Sequence, residues 1–207
     1  GHEIPLALYY DNDTRQEVRD CSYAVKRLAP SVACLIPEWM LNRNRNGSYT
    51  FKNVKKLSDC VKDRTGYPLT DEATFRDQAC PGTGTAFAVT RNTVMTAGHC
   101  AAIVFQNKLK VVFNFCLGKE NFDANEVYDV KNMMYDVTAK DCSKPDWAWM
   151  ELDRDIECCD PLTIETSPIQ SKSLISMLGH PSGISMKYCD GTVQSNHKEA
   201  QERTCLI

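Results

Sequence analysis

The sequence has no run approaching the roughly eighteen consecutive apolar residues of a membrane-spanning helix, so no segment reads as one. It has no basic excess: 24 Lys and Arg stand against 27 Asp and Glu, a net charge of -3. That removes the electrostatic footprint expected of a nucleic-acid binder. Internal repeats and low-complexity tracts are missing as well. Gly1 to Leu8 lack the basic start and apolar stretch of a signal peptide, so any targeting segment is expected to have been removed already. No cysteine stands in the CxxC or CxxH spacing of a tetrahedral zinc site, so no metal is expected.

What the chain does have is an ordinary globular composition, 43% apolar and 25% charged, over 207 residues. That length serves one large domain or two small ones. Eleven cysteines are scattered along it, which reads as a disulfide framework made in an oxidising compartment, hence a secreted protein. Cys158 and Cys159 are adjacent, suiting neither a metal site nor a bridge to each other. Because eleven is odd, one cysteine must stay free or find its partner outside the chain. Two sequons, at Asn12 and Asn46, are candidate glycosylation sites.

Val18 to Leu28 reads as a short helix stopped by Pro30. Ser31 to Ile36 is an apolar run of strand length, 42–49 a polar turn, and 58–79 a polar loop. From Gly84 onward short strands dominate: Thr85–Val89, Thr93–Thr96, Lys110–Cys116, Asn125–Met134, Asp146–Leu152, Ser173–Leu178 and Met186–Ser195. Strands joined by short turns, with little helical periodicity, predict an antiparallel all-β barrel or sandwich.

Thr96-Ala97-Gly98-His99-Cys100 follows directly on the strand pair that begins at Gly84. Asp146-Trp147-Ala148-Trp149-Met150-Glu151-Leu152 has the form D-x-A-x-x-x-L. On these two motifs the sequence resembles the chymotrypsin-like serine peptidases. Phe75–Cys80 and the stretch Leu178-Gly179-His180-Pro181-Ser182-Gly183 to Val193 are similar to the bacterial, glutamyl-endopeptidase-like branch. The resemblance covers about residues 70–207 and implies a double antiparallel β-barrel. It implies His99 as general base and Asp146 as the carboxylate that orients it and stabilises the imidazolium. It also implies a Cys80–Cys100 disulfide beside the histidine, no cofactor, and protein or peptide substrates. Asp141, Asp153 and Asp155 compete for the aspartate role on composition alone.

The glycine-rich G-[DN]-S-G-[GS] loop that carries the family's nucleophile is not found in the sequence. Ser182 lies only 36 residues after Asp146 and reads as a turn serine, while His180 and His197 read as polar loop residues. The nucleophile is therefore expected on a C-terminal complementing segment outside this chain, possibly disulfide-linked to it, and the chain alone is expected to be inactive. The expected organisation is an N-terminal extension over 1–79, a first barrel over 80–155 with His99 and Asp146, and part of a second barrel over 156–207. The alternative function is a pseudoprotease, a disulfide-rich secreted binding or structural protein that kept the fold without a nucleophile. Cys189 and Cys205 are expected to pair across a hairpin, and Phe87, Val89, Val94, Val112, Ala148, Met150 and Leu178 to form the core. Nothing points to a nucleic acid or a membrane partner.

Overall fold

The computed structural model describes residues 13–137 and 145–193, and for 103–107 the backbone only. Its strands are β1 (Gln16–Glu17), β2 (Val32–Pro37), β3 (Leu41–Arg43), β4 (Tyr49–Phe51), β5 (Gly84–Thr90) and β6 (Thr93–Thr96). They continue as β7 (Leu109–Phe113), β8 (Asn121–Phe122), β9 (Val127–Val137), β10 (Asp146–Leu152), β11 (Leu174–Gly179) and β12 (Lys187–Thr192). The α-helices are α1 (Tyr23–Leu28), α2 (Leu57–Thr65) and α3 (Gly98–Asn107).

Six strands close into an antiparallel barrel in the order β10-β6-β5-β2-β7-β9, with β9 returning to β10. Its interior is filled by alternate residues of each strand: Ala33 and Leu35 from β2, Ala86 and Ala88 from β5, Val94 from β6. Val111 and Phe113 of β7, Tyr128 of β9 and Ala148, Met150 and Leu152 of β10 complete it. Small residues on β2, β5 and β10 leave room for the Phe113 and Tyr128 rings, which meet edge to face at 5.6 Å. Truncating a fully buried member such as Met150 to Ala is expected to cost about 2–5 kcal/mol, part of it from the cavity left behind.

β2 is buried on both faces, which explains its unbroken apolar run. Its other face, Cys34 and Ile36, packs with Val112, Phe115 and Phe122 beneath a small sheet, β3-β4-β8. A third sheet, β1-β12-β11, meets the barrel through Val18, Val32 and Met186, with Phe87 and Leu178 against them. At its centre Lys187 is 2% exposed; its ammonium reaches Glu17 Oε1 at 3.1 Å, Gln78 Oε1 at 2.8 Å and both oxygens of Ser185 at 2.7 Å. Those acceptors are what make a buried ammonium tolerable.

The strands expected at Ser31–Ile36 and from Gly84 onward are found, β1, β3 and β8 are further strands, and the closed barrel is the one the resemblance implied. Three expectations change. The barrel does not begin at residue 80, because β2, from the stretch assigned to an N-terminal extension, pairs with both β5 and β7. Residues 57–65 are a helix rather than loop: Leu57, Cys60 and Val61 share one face, and Gly66 ends it at φ 79°. Phe87 and Val89 are half-buried, because β5 turns Ala86 and Ala88 inward. Of the two cysteines expected to pair, Cys80 packs with Leu57 and Ile184, whereas Cys100 belongs to the barrel core. Asn46 is exposed in the β3–β4 turn, and Asn12, Cys205, His197 and Asp141 lie outside the described residues.

Candidate active site

Thr96 ends β6 with its hydroxyl donating to the Thr85 carbonyl at 2.7 Å, which fixes the strand end against β5. One residue on, the chain turns into α3. Gly98 makes that turn possible: a Cβ there would stand 2.3 Å from the Asp136 carbonyl oxygen and 2.9 Å from that of Trp147. No side chain fits, so the first turn of α3 lies directly on the β9–β10 ribbon.

The register completes the arrangement. Thr96 pairs with Ala148, so Asp146, two residues earlier on β10, stands level with the turn that carries His99. Asp146 is the first residue of β10, opposite Val137. Its Oδ1 accepts the His99 backbone N–H at 2.8 Å and its Oδ2 lies 2.7 Å from His99 Nδ1. The carboxylate thus caps α3 from another element while holding the imidazole, and the positive end of the helix favours its charge. Partial burial pushes the Asp146 carboxyl up. The His99 ring and the backbone N–H groups of His99 and Gly98 outweigh that and hold it below its ordinary value.

With Nδ1–H donating to Asp146, Nε2 of the neutral ring carries the free lone pair. The His99 side chain is 64% exposed and that of Asp146 41%, so the pair sits open at the barrel rim. Among the described residues no serine hydroxyl hydrogen-bonds His99 Nε2. Two surface cavities, about 420 and 540 Å³, are lined by other residues, the larger by Arg91, Cys158 and Cys159. An exposed imidazole whose Nδ1 is engaged by a carboxylate is able chemically to take a proton at Nε2 from a nucleophile brought to it.

The other sequence candidates fall elsewhere. Asp153 accepts the Asp129 N–H at 3.0 Å and pairs with Arg154, a structural role at the far end of β10. Ser182 sits in the turn Pro181–Gly183 with its carbonyl accepting from the Cys80 thiol at 2.8 Å. His180, expected in a polar loop, is instead 3% exposed; its ring stacks on Phe115 and its Nδ1 donates to the Ile184 carbonyl at 3.1 Å. Burial pushes its pKa down to about 4, with the Lys187 charge adding to that and the bond to Ile184 opposing it. Its Nε2 has no hydrogen-bond partner among the described residues. What sequence reasoning missed is the role of Gly98, whose signal was a glycine wedged between Ala97 and His99.

A closed antiparallel barrel with a hydrogen-bonded His–Asp pair at its rim is the chymotrypsin-like architecture. The chain belongs to the trypsin family, whose model matches residues 70–205. No curated protein sequence matches it.

Proposed function

We propose that the protein is a secreted serine endopeptidase in which His99 and Asp146 are the acid–base half of the catalytic triad. The observation that carries this reading is the two-point hold of Asp146 on His99, at 2.8 and 2.7 Å, with Nε2 facing outward. His99 Nε2 takes the proton of a serine hydroxyl as the oxygen attacks the scissile carbonyl, then returns it to the leaving amine. Asp146 holds the tautomer and stabilises the imidazolium between those steps. Acyl transfer of this kind asks only for a base, a nucleophile and an oxyanion hole, and its substrates are proteins or peptides.

The nucleophile of this reading is a serine brought to His99 Nε2, with backbone N–H groups beside it as the oxyanion hole. Ser31 and Ser185 are engaged elsewhere, Ser31 with the Asp160 carbonyl and Ser185 with Gln78 and Lys187, so neither fills that place. Secretion and an oxidising compartment are supported by the eleven cysteines, and the exposure of Asn46 supports a glycan there.

Fluorophosphonate labelling of the protein isolated from its source, read by intact mass with and without reductant, tests the proposal. Label on a serine is the expected result. Folded protein that takes no label would overturn the peptidase reading in favour of a pseudoprotease.

A further inference from the structure

The cysteines hold a relationship that the family resemblance did not point to. Residues 55–58 and 76–80 run antiparallel beside each other: Cys80 N–H donates to the Lys55 carbonyl at 2.9 Å, Leu57 N–H to Gln78 at 2.9 Å, and Lys56 bridges Ala79. That pairing brings the first turn of α2 onto the segment entering the barrel. The Cys60 thiol donates to the Cys80 carbonyl oxygen at 3.8 Å and neighbours the Cys80 thiol, whose pKa burial and Cys60 together push up. Both pack with Leu57, Val61 and Ile184.

We propose that Cys60 and Cys80 form a disulfide that staples α2 to the entrance of the barrel. Two other thiols compete for Cys80, and the geometry disfavours both. Cys34 lies near the Cys80 segment, its sulfur against Gly82, but is fully buried in β2 and closed to an oxidant. Cys100 is held inside the barrel, its sulfur against Gly84 and Leu35 nearby. Cys60 is the half-exposed one of the set, open to an oxidant.

The oxidant is a small-molecule disulfide such as glutathione disulfide. The Cys60 thiolate attacks one of its sulfurs, releasing one glutathione thiolate and leaving a mixed disulfide. The Cys80 thiolate then attacks the Cys60 sulfur and expels the second. Two electrons pass from the protein to glutathione disulfide, and the two protons end on the glutathione thiols. Cys80 gives up its bond to the Ser182 carbonyl when its sulfur joins Cys60. The closed loop of about 20 residues contains Lys62, Arg64 and Arg76, so tryptic cleavage opens it without breaking the staple.

The bond's presence in the cell rests on the oxidising compartment proposed above, whereas the choice of partners does not. The reduced, unfolded chain is therefore refolded in a mixture of glutathione and its disulfide, free thiols are alkylated, and tryptic peptides are mapped without reductant. Leu57–Lys62 joined to Asp77–Arg91 is the expected product. Asp77–Arg91 joined instead to Leu28–Arg43, which carries Cys34, or to Asn92–Lys108, which carries Cys100, overturns it; so does alkylated Cys80 in folded protein. The Cys60→Ser/Cys80→Ser double variant is expected to melt roughly 6–12 °C below the oxidised wild type. Equal melting temperatures under the same oxidising conditions would also sink the staple. Reduced thiols throughout protein from its natural source would instead count against secretion, with the refolded map unaffected.

Discussion

Asp146 holds His99 by two different groups, the backbone N–H through Oδ1 and the ring through Oδ2, so the helix start and the imidazole are oriented by one carboxylate. An exposed His–Asp contact made only through the ring would leave the side chain several rotamers. Here the main chain is fixed first.

In the active peptidase, His99→Ala is expected to lower kcat by at least about 10⁴-fold while changing stability by less than about 1 kcal/mol, since the side chain is mostly in solvent. Asp146→Asn is expected to cost roughly 10⁴-fold as well, because the amide can leave the ring in the wrong tautomer. Single-turnover hydrolysis together with a denaturant melt checks both; an Asp146→Asn enzyme with wild-type kcat would remove Asp146 from the reaction.

Gly98→Ala places a methyl against two backbone carbonyls, neither of which can rotate away. The turn must lift from the β9–β10 ribbon, carrying His99 from Asp146. The expected result is a destabilisation of about 1–3 kcal/mol in urea unfolding and a fall in kcat larger than that loss of folded protein explains. Retained activity in a fully folded variant would show that the close contact is dispensable.

His180 makes the fold sensitive to acid. Its folded pKa of about 4 lies below the 6.5 of an unfolded histidine, so between those values the unfolded chain binds more protons. Stability is therefore full above about pH 6.5, falls as the pH drops toward 4, and loses no more from this group below that. The shift corresponds to about 3 kcal/mol. Denaturant titrations across pH 7 to 4 should show the slope in the wild type and lose that part of it in His180→Gln, whatever that variant's absolute stability.

Lys187→Met leaves the Glu17 carboxylate, itself nearly buried, without its cation, and about 3–5 kcal/mol of destabilisation is expected. Adding Glu17→Gln should recover part of that loss. A double-mutant cycle reads the coupling directly, and strictly additive effects would mean that the two charges do not stabilise each other.

The pieces of the site that were legible in the sequence are those fixed by local chain. A strand ending in Thr96-Ala97-Gly98-His99 and another opening at Asp146 each carry their own pattern, and the register of β6 with β10 only has to bring them level. The less legible features depend on distant partners. Phe87 and Ala88 are both apolar neighbours on β5, and the barrel's need for small residues opposite Phe113 and Tyr128 decides which faces inward. Leu57, Cys60 and Val61 are too few in a polar stretch to announce a helix until Ile184 covers them. His180 looks like a loop residue because nothing local shows that Phe115, 65 positions earlier, will stack on it. The same limit applies to the cysteines, whose neighbours are set by the folded surface and not by spacing.

β1 is only two residues long, and it is held by β12 through the pairs Gln16–Tyr188 and Glu17–Lys187. The segment that leaves the ribosome early therefore waits for one of the last described strands before it has a partner. Closing a loop of that span costs entropy that no earlier contact repays, so the joint is expected to be a late event in folding. Until then Glu17 is a solvated carboxylate on an unpaired segment, and the barrel must assemble around β2 without it.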